Sequence, residues 1–300
     1  MNQIALWFAS GESLYAGAFS LLALIAISPS LLRNWSLRLR NLAAWLALAM
    51  MIMACPPFSW SVDVIFLSTF ILWFVMVNQR RSNHSHAKPR MTWTVVFAIL
   101  LVTLAVSELS RRSMPVITGA PRDHLVVIGD SISSGIDARV AAWPVVMQQV
   151  TGVPVKNLAQ PGAETIEAAA IADKVTREDE LVLIEIGGND LLSGVPPEKF
   201  GQALEATLAK LVAPGRMVVM FELPLLPHRI AFGQIQRRLA AKYGVVLIPK
   251  RFFVEVIGGA NATTDGLHLS EAGTHSMATL VAKALSRVLK PKVQNIPTRL

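Results

Sequence analysis

Apolar and polar positions divide this chain into two regimes. Over the first 112 residues the apolar positions come in four long runs, at about 4–27, 42–58, 62–77 and 93–109. Beyond residue 113 they come in short runs, at 125–128, 155–158, 181–186, 217–223 and 245–248. Between these lie stretches of helical periodicity at 139–150, 165–176, 197–212 and 231–243, with a last one at 270–289. A membrane span takes about 17–25 mostly apolar residues, so the long runs predict an all-α membrane region over 1–112 with about four transmembrane helices. The Pro56-Pro57 pair between the second and third runs suits a helical hairpin. The short runs have the length and β-branched content of strands buried on both faces. Five of them alternating with helices predict an α/β domain over 113–300, a doubly wound, three-layer parallel sheet of about five strands.

Charge sharpens this division. Residues 1–112 hold 9 Lys and Arg against 3 Asp and Glu, whereas residues 113–300 hold 19 against 17. The basic excess therefore belongs to the apolar region, which argues against nucleic acid as a partner. Arg33, Arg38 and Arg40 fall between the first two runs, and Arg80, Arg81, Lys88 and Arg90 between the last two. The positive-inside rule puts both basic loops in the cytoplasm, and the amino terminus and everything after residue 112 outside. The expectation is an integral protein of a bacterial inner membrane with its α/β domain on the periplasmic side. Cys55 is the sole cysteine, so no internal disulfide or thiolate metal cluster is available.

Ligand sites of such sheets lie outside the carboxyl ends of the strands. There the short runs are followed by Gly129-Asp130-Ser131, by Asn157 leading to Gly162, by Gly187-Gly188-Asn189-Asp190, and finally by Asp265-Gly266-Leu267-His268. Serine is a weak nucleophile until a neighbouring base removes its proton. Imidazole accepts and returns protons near neutral pH, which makes His268 the candidate base for Ser131. Asp265 would hold His268 in the useful tautomer. A glycine at 162 lets a substrate oxygen approach the backbone closely.

These four blocks, in this order, resemble those of the SGNH (GDSL-type) hydrolases, most of all the thioesterase I/arylesterase-like branch, over about residues 125–289. The resemblance implies a flavodoxin-like sheet, with Ser131, Asp265 and His268 as catalytic residues. It further implies an oxyanion hole made by the Ser131 and Gly162 N–H groups and the Asn189 side chain. Asp130, Gly188 and Asp190 would support these loops, and His228, following the fourth strand, would line the substrate cleft. Ala159 departs from the pattern, since many relatives carry glycine there, and Gln160-Pro161 follows it. The Gly-x-Ser-x-Gly elbow of α/β-hydrolases is absent, because Ser133 occupies its last position. Neither metal nor cofactor is required by serine chemistry.

The expected function is a membrane-anchored serine esterase that hydrolyses acyl or acetyl esters of a small molecule, lipid or glycan through an acyl-enzyme. An acyl or acetyl transferase or deacetylase acting on envelope glycans is the alternative. A ligand-binding or sensor membrane protein without catalysis has no use for nucleophile, base and oxyanion donors together.

Overall fold

The computed structural model describes residues 3–27, 37–78, 87–225 and 229–290. They fall into two compact units, one built on Trp7–Ser113, the other on Met114–Leu225 with the chain from Ala231 onward.

The second unit contains one five-stranded, wholly parallel sheet in the order β2-β1-β3-β4-β5. Its strands are β1 (Leu125–Gly129), β2 (Val155–Asn157), β3 (Leu181–Glu185), β4 (Met217–Phe221) and β5 (Val246–Ile248). This is the flavodoxin-like doubly wound arrangement, with its switch point between β1 and β3. Every residue of β1 and β3 is buried, as central strands covered on both faces must be. From β1 to β2 the chain steps one way, and from β2 onward the other. Right-handed crossovers therefore place α7 (Trp143–Thr151) on one face and α8 (Thr165–Ile171), α10 (Pro197–Leu211) and α11 (Ile230–Tyr243) on the opposite one. In agreement, α7 packs with α13 (Glu271–Leu285), and α8 with α10.

Two short helices open at strand ends, α6 (Ser131–Ser134) after β1 and α9 (Gly188–Ser193) after β3. The chain between the fifth strand and Asp265 is not a plain connection. It contains α12 (Lys250–Ile257), which follows Pro249 and buries Phe253, Val254, Val256 and Ile257. The last helix is shorter than its periodicity predicts, ending at Leu285.

The chain ahead of residue 113 is helical, with α1 (Gln3–Ala9), α2 (Ser13–Ile27), α3 (Leu37–Met53), α4 (Trp60–Asn78) and α5 (Ala87–Leu109). Here the structure departs from four uniform spans. The first apolar run is broken after Ala9, where Gly11 takes φ +85° and the axis turns by 80°. The second ends at Met53 ahead of Cys55, which adopts a positive φ, and the two prolines. At 17 residues α3 is roughly 25 Å long, short of a hydrocarbon core of about 30 Å. Among the described residues two helices are long and apolar enough to cross a membrane, Trp60–Asn78 and Met91–Arg112, or three if the bent pair counts as one span.

Small residues let α2 and α3 approach closely. Ala18, Ala44 and Ala47 share one buried cluster with Leu14, Leu48 and Met51. A Cβ on Gly17 would lie 2.5 Å from the Ala47 carbonyl oxygen and 2.6 Å from Met51 Cγ. Phe66, Phe70, Trp73 and Phe97 fill the space between α4 and α5 with ring contacts of 5.1–6.0 Å. Because the first obstacle at Gly17 is backbone, Gly17→Ala has no cheap relaxation. We expect it to destabilise the helical unit by about 1–3 kcal/mol, read as a lowered midpoint in thermal unfolding of the purified full chain. An unchanged midpoint would mean that α2 and α3 are not held this closely.

Candidate active site

The site begins where β1 ends. Gly129 pairs in register with Glu185 of β3. A Cβ at Gly129 would sit 2.8 Å from the Ser133 side chain and 2.9 Å from the Glu185 carbonyl oxygen, so only glycine fits. The chain then turns into α6 with Asp130 as its cap, the Asp130 Oδ1 accepting from the Ile132 N–H at 2.9 Å. Ser131 is the first residue of that helix, where a backbone N–H has no intrahelical acceptor. Underneath, Trp143 Nε1 donates to Ser133 Oγ at 3.1 Å, and Ser133 Oγ donates to Glu185 Oε2 at 2.8 Å. The turn carrying Ser131 is thus bonded to β3 and α7 as well as to itself.

Asp265 and His268 arrive on a tight loop before α13. Asp265 Oδ1 accepts from the Leu267 and His268 backbone N–H groups at 2.9 and 2.8 Å, while its Oδ2 lies 2.6 Å from His268 Nδ1. These bonds, the His268 ring foremost, hold the Asp265 carboxyl well below the usual carboxylate range. A carboxylate on Nδ1 fixes the proton there and leaves the Nε2 lone pair free. That lone pair faces Ser131 Oγ at 3.1 Å. The loop is closed by the Thr264 N–H on the His268 carbonyl at 2.9 Å and by Ser270, whose hydroxyl caps α13 at Gly273. Ser131, His268 and Asp265 therefore form one continuous hydrogen-bonded line from the β1 edge to an ionised acid.

The other side of Ser131 is built by the chain after β2. Leu158 N–H bonds the Val127 carbonyl at 2.8 Å and Gln160 N–H the Gly129 carbonyl at 3.0 Å, extending the pairing to the very end of β1. Asn157 Nδ2 also donates to the Ser133 carbonyl at 2.9 Å, tying this loop to α6. Gly162 follows at φ +76°, a conformation that requires glycine, with open space where a side chain would stand. Asn189, on α9, donates from Nδ2 to the Ala163 carbonyl at 2.9 Å and reaches Asp130 Oδ2 at 3.5 Å. Asp190 turns inward instead, its Oδ2 accepting from the Thr165 N–H at 2.9 Å and hydroxyl at 3.0 Å to fix the start of α8. Gly188 leaves room for Asp130, whose Oδ2 is 3.4 Å from the position of a Cβ there.

Ser131, His268 and Asp265 are brought together, and Asn189 is bonded to the Ala163 carbonyl beside Gly162 and reaches Asp130. His228 lies outside the described residues. Three participants escape the sequence reading: Glu185, Ser133 and Trp143. The available signal was Glu185 itself, an acid closing an otherwise apolar strand and standing two residues before Gly187-Gly188.

The model of the GDSL-like lipase/acylhydrolase family matches residues 127–275, from β1 into α13. Esterase TesA of Pseudomonas aeruginosa is 30% identical over 164 residues, covering 50% of this chain and 81% of that protein. This chain belongs to the GDSL-like lipase/acylhydrolase family. Thioesterase 1/protease 1/lysophospholipase L1 of Escherichia coli K12 is 28% identical over 178 residues, 55% of this chain and 85% of that protein. An arylesterase of Vibrio mimicus is 29% identical over 182 residues, 56% and 90% of the two chains. The chain is thus a carboxylic ester hydrolase.

For this GDSL-like hydrolase the matched stretch contains all four polar blocks. A shallow cleft beside Ser131 and His268 is lined by Ile136, Val140 and Leu269, an apolar surface next to the polar line. The position of Asn189 rests on the anchoring of its neighbour Asp190, which is buried. Asp190→Ala strands the Thr165 N–H and hydroxyl, and we expect a loss of about 2–3 kcal/mol, measured as a lower urea midpoint. Asp190→Asn, which keeps an acceptor, should lose less.

Proposed function

We propose that this chain is a membrane-anchored serine esterase, with Ser131 as nucleophile, His268 as general base and Asp265 as the orienting carboxylate. The observation that carries the reading is the unbroken path Ser131 Oγ–His268 Nε2, His268 Nδ1–Asp265 Oδ2, at 3.1 and 2.6 Å. Ser131 Oγ attacks the acyl carbonyl while its proton passes to Nε2, and ionised Asp265 stabilises the imidazolium formed. The oxyanion is received by the Ser131 and Gly162 N–H groups and by Asn189, whose long 3.5 Å reach toward Asp130 yields to a charged oxygen. His268 returns its proton to the leaving oxygen or sulfur, and the acyl group stays on Ser131. Water, deprotonated by His268 in turn, releases the acid.

Ser131→Ala is expected to lower kcat on a p-nitrophenyl short-chain ester by about 10³-fold or more, and Asp265→Asn by about 10³–10⁴-fold. Full turnover by pure Ser131→Ala protein would refute the assignment. Product analysis with an added glycan acceptor separates hydrolysis from acyl transfer.

Residues 1–112 are the proposed membrane region and 113–300 the hydrolase domain, on the periplasmic side of a bacterial inner membrane. In support, α4 and α5 leave Ile65, Ile71, Val75, Ile99, Val102 and Val106 exposed among the described residues. Such a belt on two apolar helices is suited to lipid. Arg80 and Arg81 ahead of α5, with Lys88 and Arg90 at its start, direct that end of the helix to the cytoplasm, so the chain leaves α5 on the opposite side whether or not α2 and α3 cross fully. Alkaline phosphatase fused to the carboxyl terminus should then be active in cells. An inactive fusion beside an active cytoplasmic reporter at the same position would reverse the orientation.

A further inference from the structure

The mechanism above uses neither of two buried acids that lie behind Ser131. Glu185 closes β3 and is only 5% exposed; Asp130, next to Ser131, is 3% exposed. The two acids face each other where β3 pairs in register with the end of β1, Glu185 opposite Gly129 and Asp130 next along the chain. Among the described residues Glu185 makes no ion pair with a Lys, Arg or His. The charged groups facing Asp130 are Glu185, Asp190 and His268, and the groups facing Glu185 are Asp130 and the Ser133 hydroxyl. Two buried carboxylates in contact cannot both be ionised. Asp130 accepts on both of its oxygens, which leaves Glu185 as the carrier of the shared proton. Trp143 donates to Ser133 Oγ, so the Ser133 proton goes to Glu185 Oε2, which acts as an acceptor. Asp130 is an acceptor too, from the Ile132 N–H at 2.9 Å and from Asn189 at 3.5 Å.

We propose that Glu185 is a positioning residue that works as a neutral carboxylic acid, donating its proton to Asp130 and so holding Asp130 as the acceptor that fixes both the Ser131 turn and Asn189. The chain of contacts runs Trp143, Ser133, Glu185, Asp130, and then divides toward Ile132 N–H and the Asn189 amide. Neutral Glu185 thereby links the nucleophile's turn to the oxyanion donor from beneath the sheet edge. It touches no substrate. The proposal rests on the esterase reading for its kinetic consequence, though not for the proton itself.

Burial and the neighbouring carboxyl drive Glu185 well above the usual carboxylate range, and burial pushes Asp130 up to about 6. A carboxyl raised on folding contributes stability that is complete below its unfolded value and is lost as pH rises through its folded value. Alkaline pH should therefore put two anions in contact under Ser131, loosening the turn.

The test uses the full chain with Glu185→Gln and Glu185→Leu, and Ser131→Ala as control. Glutamine keeps both a donor for Asp130 and an acceptor for Ser133, whereas leucine keeps neither. Glu185→Leu should lower kcat by about 10–100-fold with KM changed by less than about threefold, and Glu185→Gln should recover most of that loss. Infrared spectra at neutral pH should show a buried carboxylic-acid C=O band in the wild type and in Ser131→Ala that disappears in Glu185→Gln. A folded Glu185→Leu protein with wild-type kcat would overturn the proposal. So would Glu185→Gln falling as far as leucine, or a wild-type spectrum without that band. If Glu185→Leu does not fold, the band and the glutamine variant still decide. Undiminished turnover by Ser131→Ala would count against the esterase reading alone, because the acid band is read without turnover.

Discussion

The closeness of β1 and β3 at their carboxyl ends is the constraint from which the site follows. Gly129 and Glu185 stand opposite one another in register, and no Cβ fits between Gly129, Ser133 and the Glu185 carbonyl. Because the strand order reverses around β1, the loops after β1, β2 and β3 open on one crevice. The chain after β2 is zipped to β1 through Leu158 and Gln160, which delivers Gly162 to that crevice, and α9 delivers Asn189 from the other side. Loosening the pair at Gly129 would disturb all of these positions together.

Much of the second unit could be read from sequence because its signals are local. A short, wholly apolar run such as Leu125–Gly129 has few ways to be buried other than as a central strand. The polar blocks then fall at the correct edge by alternation alone. What could not be read is what depends on long-range packing. Nothing near Glu185 in the chain says that its partner is Ser133, 52 residues earlier. The helix Lys250–Ile257 was hidden for another reason: its apolar positions cluster in only eight residues after a proline, too few for periodicity to stand out.

The helical unit shows the opposite imbalance. Hydropathy marks where apolar helices occur but is blind to a backbone break inside a continuous apolar run. Gly11 turns the chain by 80° where composition alone promised one straight segment. The intimate approach of α2 to α3 is also invisible to hydropathy, since glycine and alanine count as weakly apolar while allowing the closest contact. Length, charge and apolar content therefore outline this region, and its small residues decide how it packs.

The loop from Asp265 to His268 has a consequence for how the site tolerates motion. Asp265 and His268 are the two ends of one four-residue turn, cross-bonded through both backbone and side chain, so they form a single rigid body. Displacement of that body changes one distance, the gap between Nε2 and Ser131 Oγ, and leaves the internal alignment intact. Alignment of the three side chains is thus left to the one contact between that turn and Ser131.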